Sequence, residues 1–181
     1  MSTAASVQLI PLKCVDCGTA VPAQVNEVAW VCEQCGRGLV LDAARGTAAL
    51  VVFFSSAVPE GQVGRPFWVS RGQVTLQARE TYKGDQGNQA REFWAVPRLF
   101  FIPAWDCPVN ELIEQGKALL KNPVEMTPGS RVPFLPVVTL PTDLKALGEF
   151  LVLSIEAARS DYLKGVDFDL RLDPPQLWVL A

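Results

Sequence analysis

Beyond residue 47 the chain falls into short apolar runs separated by polar or glycine-proline punctuation. Seven runs have the length and β-branched or aromatic content of strands: 48–55, 66–70, 74–82, 92–102, 132–139, 167–172 and 176–180. The stretch "KGDQGNQ", residues 83–89, has the composition of a hairpin loop between two of them. Two segments instead repeat their apolar positions at helical spacing. The first opens at Cys107-Pro108, with proline suited to the first turn, and stops at Asn122-Pro123. Val109, Leu112, Ile113, Gly116, Leu119 and Leu120 share one stripe of it. The second starts near Thr142 or Asp143 and runs to about Leu163, ahead of Gly165. Its polar positions, among them Lys145, Glu149, Glu156 and Arg159, occupy an arc of only about 100°. Ala146, Phe150, Leu153 and Ala157 widen the apolar side beyond what one contact face needs.

Strands, helix, strand, helix, strands is the order expected of an α+β fold: a mostly antiparallel sheet with two main helices packed on it. Four adjacent aromatic pairs lie in this region: Phe53-Phe54, Phe67-Trp68, Phe93-Trp94 and Phe100-Phe101. Neighbours on a strand point to opposite faces, so each pair would put one large ring on either side of the sheet. Helices cover one face. The second face calls for the N-terminal module, further strands, or another protein. The expectation is a protein-docking face that leaves at least two rings open to solvent, Trp68 and Trp94 foremost.

The first 45 residues follow a different logic. Cys14, Cys17, Cys32 and Cys35 form two Cys-x-x-Cys pairs separated by 14 residues. Two intervening residues let both sulfurs of a pair turn toward one ion. Gly18 and Gly36 follow the pairs, where a positive φ lets the chain reverse. Residues 25–31 and the "GLVLD" after Gly36 read as short strands. Two knuckles joined by strands resemble a zinc ribbon, and the resemblance covers residues 9–43. It implies one structural zinc per chain held by Cys14, Cys17, Cys32 and Cys35, because four sulfurs close the tetrahedral shell. Rubredoxin-like iron sites have longer, more aromatic loops. A redox Cys-x-x-Cys needs one pair only and a βαβ setting. The organisation expected is a ribbon over 1–45 and an α+β domain over 46–181.

Charge and composition narrow the function. The chain has 181 residues, is 49% hydrophobic and 19% charged, and carries a net charge of −3. Residues 1–46 hold three cations against four anions, and Asp16 and Glu33 sit inside the knuckles. That is the wrong sign for a phosphate backbone, so a nucleic-acid factor of transcription or translation type is the second reading. The chain contains no histidine, which removes the common general base and every histidine-dependent nucleophile. Phosphate-binding glycine loops and glycine-framed serines are absent as well. The N-terminal sequence has no signal-peptide pattern, and the longest uncharged run, 46–59, has 14 residues, too few to span a bilayer. The expectation is a cytoplasmic protein whose thiols stay reduced.

Two weaker candidates remain. Cys107 lies at a helix start behind the apolar "FFIPAW" and reads as a structural thiol rather than a nucleophile. Asp167, Asp169 and Asp173 alternate along a strand, a pattern shared by cation sites and by solvated faces; Lys164 and Arg171 among them favour the latter. The sequence therefore predicts a non-enzymatic zinc-ribbon adaptor or accessory subunit that works through protein contact, with a different protein or a second copy of the chain.

Overall fold

The fold was determined as a computed structural model that describes residues 10–181. It is an α+β fold with two sheets. A small antiparallel sheet, in the order β1-β2-β3, holds Ala29–Val31, Gly38–Asp42 and Gly46–Leu50. The larger sheet is organised by β5 (Arg65–Thr81), a strand of 17 residues. β6 (Arg98–Pro103) pairs with one edge of its first half. On the other edge β8 (Gln176–Leu180) pairs with residues 65–69, and β7 (Leu163–Leu172) pairs with 72–81. β4 (Val52–Phe54) adds to β8 as a parallel pair. Helix α1 is Gly87–Trp94, α2 is Val109–Lys121 and α3 is Leu144–Ala157. No helix among the described residues is long and apolar enough to cross a membrane.

Several elements depart from the sequence expectation, each for a physical reason. The run 48–55 is two strands that change sheet at Val51, β3 pairing with β2 and β4 with β8. The runs 66–70 and 74–82 are one strand. Gly72 between them is not a break: a Cβ there would lie 2.7 Å from both Leu172 and Phe100, so the glycine permits close packing. The run 92–102 is α1 followed by β6, separated at Pro97. The supposed hairpin loop leads into α1, whose start is tied by the Asp85 carboxylate accepting from the Gly87 amide at 2.7 Å. Residues 132–139 are extended but make only isolated bridges, Gly64↔Phe134 and Ala29↔Val137, since Pro133 and Pro136 have no amide to donate. α3 ends at Ala157, six residues early, because the chain turns to bring Asp161 to Arg79 of β5.

Two of the aromatic pairs, Phe67-Trp68 and Phe100-Phe101, divide between two cores as strand alternation requires, while Phe93 and Trp94, on helix α1, both join the first. Trp68, Phe100 and Ile102 join Leu144, Leu151, Val152 and Ile155 of α3 on one face. Phe67, Val69 and Phe101 join Trp105, Trp178 and Leu180 on the other. That second face is closed by the chain itself, through Leu119 of α2 and by Met126 and Leu135. The expected solvent-exposed rings are therefore absent. Trp68 is 0% exposed and Trp94 2%, and the other six rings are buried or half-buried. Trp68 donates its indole N–H to the Thr139 carbonyl at 2.8 Å. What remains open is the outer stripe of α3, where Ala146, Phe150, Leu153 and Ala157 face solvent.

A buried charge cluster ties the end of α3 to β5. Arg79 donates to Glu156 at 2.8 Å and to both oxygens of Asp161, with its side chain only 4% exposed. Glu156 also accepts from the Trp94 indole at 2.9 Å and from Arg159 at 3.0 Å. Two cations thus meet two carboxylates, and the Asp161 carboxylate further accepts from the Gln86 amide. The Arg79 guanidinium, aided by that amide, holds Asp161 well below the usual carboxylate range. Breaking such a cluster costs more than the pair contributes, because a charge stays buried without a partner.

Replacing Arg79 by methionine should destabilise the protein by about 3–5 kcal/mol in urea titrations at neutral pH. Because the folded Asp161 value is depressed, its stabilisation is full above about pH 4 and fades as pH falls further. The acid-dependent part of the loss should accordingly be shallower in Arg79→Met than in the wild type.

Candidate metal centre

Each cysteine pair sits in a backbone turn built the same way. In the first, the Cys14 amide donates to the Thr19 carbonyl at 2.8 Å and the Gly18 amide to the Cys14 carbonyl at 2.9 Å. In the second, the Cys32 amide donates to Arg37 at 2.8 Å and Gly36 to Cys32 at 2.9 Å. Gly18 and Gly36 have φ of +73° and +76°, values that a side chain would strain. The two glycines singled out in the sequence therefore serve the turn they were expected to serve.

The turns face each other and bring the four sulfurs within 4.8 Å of one another. Cys14 and Cys35 lie 3.5 Å apart, and Cys17 and Cys32 3.6 Å, so each close pair joins one turn to the other. A disulfide would need about 2.05 Å. A zinc–sulfur bond of about 2.3 Å makes the edge of a sulfur tetrahedron about 3.8 Å. The cage fits a single tetrahedral ion. Cys14 and Cys32 are buried against Trp30 and Leu39, while Cys17 and Cys35 are exposed.

The thiols could not all ionise side by side without a cation between them. The Thr19 hydroxyl, 3.3 Å from the Cys17 sulfur, and the Thr19 amide draw that thiol down to about 6. At the equivalent position the Arg37 amide favours the Cys35 thiolate. Partial desolvation of the sulfur and the neighbouring cysteines outweigh it and push Cys35 up to about 12. A divalent ion relieves this competition, and a thiolate on a metal stays deprotonated. The donor set is thus that of a structural zinc site, with no place left for water or substrate.

Two features of the site were not read from the sequence. Arg37 pairs with Asp16 and latches one turn to the other, so the basic residue nearest the cage is already neutralised. Thr47 of β3 donates to the Lys13 carbonyl and ties the third strand to the first turn. Thr19 and Arg37 both directly follow the turn glycines, which is the one signal that marks them as equivalent.

The small sheet is also built into the larger body. Alternate residues of β1 and β2 send Trp30 and Leu39 toward the cage, and Ala29 and Val40 toward the core around Trp68. The Val28 amide donates to the Val137 carbonyl at 2.7 Å. The other candidates do not form a site. Among the described residues the four cysteines are the group placed to hold an ion. Asp169 instead pairs with Arg171 at the surface, and the Asp173 main chain bonds to Arg71 and Ser70. Cys107 is half-buried beside the Phe67–Trp105 cluster, and burial, with Glu111 and Asp106 nearby, pushes its thiol up.

Metal analysis of the reduced protein should return one zinc per chain; iron, or no metal, would contradict the assignment. Cys32→Ser should lose the ion and melt the small sheet, since the metal supplies much of such a module's folding energy. The body should keep its far-ultraviolet signal yet lose on the order of 2 kcal/mol, the scale of uncovering Val28 and Ala29. Cys107 should react slowly with a thiol probe near neutral pH in zinc-loaded protein, as its raised pKa keeps it protonated. Rapid labelling there would show a reactive thiol.

No family model, curated protein or solved structure matches this chain, so the assignment of the site rests on its own geometry.

Proposed function

We propose that the protein is a non-catalytic zinc-ribbon adaptor or accessory subunit that works by binding another protein. The observation that carries this reading is the closed four-sulfur cage, whose geometry gives the ion a scaffolding role and leaves the surfaces to do the work. The open stripe of α3 supports it: Phe150 is 42% exposed and Leu153 40%, on a helix whose opposite side is fully packed. Apolar residues grouped in this way mark contact surfaces more often than scattered ones do. With every ring of the aromatic pairs buried or half-buried, contact is made elsewhere than on the sheet faces.

The second reading, a nucleic-acid factor, gains nothing from the site. Arg37 is engaged by Asp16 and Arg45 by Asp42, so the ribbon offers few free cations to a phosphate backbone.

Affinity purification from native cells, with cross-linking and mass spectrometry, should return a protein partner in near-stoichiometric amount. In parallel, micromolar protein should not shift labelled DNA or RNA. A salt-sensitive shift without a protein partner would replace this reading by the second.

A further inference from the structure

We propose that the cleft between β1 and residues 131–134 is a binding site for an extended polypeptide segment of the partner, taken up as an added strand. The proposal rests on the adaptor reading and names how contact is made. The cleft has a volume of about 660 Å³. It opens where two strands that begin to pair are forced apart.

The pairing shows why. β1 and its flanks bond to β2 through the Val28 carbonyl, Trp30 and the Cys32 amide, since Leu41 donates to the Val28 carbonyl and Cys32 donates to Arg37, while the Val28 amide turns outward to Val137. Ala29 and Val31 therefore turn their N–H and C=O groups to the outer edge. Ala29 meets Val137 there. Continuing that register would set Val31 opposite Leu135 and Glu33 opposite Pro133. Neither pair forms, because the Leu135 amide donates to Gly64 at 3.1 Å and Pro133 has no amide. Val31 is left with no described backbone partner on that edge. Across the cleft, the Pro133 carbonyl and Leu135 amide serve Gly64, so Val132 and Phe134 turn their own groups the other way, again without described partners. Unpaired main-chain groups on both walls are what an extended backbone satisfies, as in strand addition.

An independent feature lies in the same wall. Trp30 lines the cleft and is only 6% exposed, and its indole nitrogen, covered in this packing, is the buried side-chain polar atom without a hydrogen-bond partner among the described residues. Indole N–H is a donor only, so its missing partner is an acceptor such as a peptide carbonyl. The charges at the rim set the chemistry of the segment. Glu27 and Glu33 line the ribbon side, and Glu33 has no described ionic partner. Arg131 stands on the opposite wall and reaches the Cys32 carbonyl at 3.5 Å. The segment that fits is extended and carries a basic side chain toward Glu33.

The test uses the zinc-loaded full chain and a displayed library of random peptides, with the selected sequences synthesised and their affinities measured by fluorescence anisotropy. Selected peptides should carry a basic residue. N-methylation at alternate backbone positions should abolish binding while the intervening positions tolerate it, following the period of a strand. Trp30→Phe, which keeps a ring and deletes the donor, should weaken binding about tenfold at unchanged zinc content. Glu33→Lys should weaken the basic peptides similarly. N-methylation alters the peptide alone, so loss of fold in a variant cannot mimic its result. The proposal is overturned if the library yields no binder, if methylation shows no alternation, or if both variants bind as the wild type does. Native purification separates the two levels. A partner that stays bound to Glu33→Lys keeps the adaptor reading and removes the cleft; no partner on the wild type removes the adaptor reading itself.

Discussion

Everything in the larger body registers on β5. A strand that pairs along both edges and is covered on both faces has no freedom to slip, because a shift of one residue would exchange its two sets of side chains. Here Phe67 and Val69 belong to one core and Trp68 and Val74 to the other. β6, β7 and β8 take their positions from it, and Pro174-Pro175 interrupts the β7–β8 edge opposite residues 70 and 71. The interruption is itself bonded, with Ser70 donating to the Asp173 carbonyl at 2.6 Å and the Asp173 amide to Arg71 at 2.8 Å. Gly72 lets Phe100 and Leu172 close over the same point.

The ribbon meets this body as a second constraint rather than as an appendage. Its own apolar cluster is small, essentially Trp30 and Leu39 against two cysteines, and would not hold a fold unaided. The four-sulfur cage supplies the missing cohesion on one side of the small sheet. The shared core supplies it on the other, through Val28, Ala29 and Val40. One consequence is mechanical: the orientation of the ribbon follows from packing, so a surface formed between ribbon and body has a fixed shape. An accessory protein that presents such a surface loses little freedom when it binds.

How much of this was legible in the sequence depends on whether the signal was local. The convergence of the four sulfurs was legible, since two Cys-x-x-Cys-Gly turns carry their geometry within six residues each, whereas the Arg37–Asp16 latch and the Thr47 tie join residues far apart in the chain. Strand β8, strand β2 and the start of α2 after Pro108 were legible for the same reason. The failures required knowledge of distant residues. Gly72 looks like punctuation until Phe100 and Leu172 are known to lie over it. α3 ends early because Asp161 has a partner 82 residues away in Arg79. The start of α1 has the composition of a loop and its end, Phe93-Trp94, that of a strand; only Glu156, reaching the Trp94 indole, explains its place. The buried state of Trp68 has the same cause: the Thr139 carbonyl that receives its N–H lies 71 residues away.

The most instructive departure is the segment 132–139. Its composition is that of a strand, and its backbone is extended, but proline at 133 and 136 withholds two of the donors that a ladder requires. A strand that lost both edges would simply be a loop. This one keeps Gly64 on one side and Val28-Ala29 on the other, so it is held in place with part of its length unpaired. The ordinary way to blunt such an edge is to add charge or cover it. Here Arg131 and Glu33 stand at the rim of the gap and nothing among the described residues fills it. The same missing amides that defeat a strand assignment from sequence therefore leave a gap on which ribbon and body both present backbone groups without a described partner. A fold that has solved its core so completely, with every one of the eight aromatic rings at least half-covered, leaves backbone rather than apolar area as its chief unmet demand at this junction.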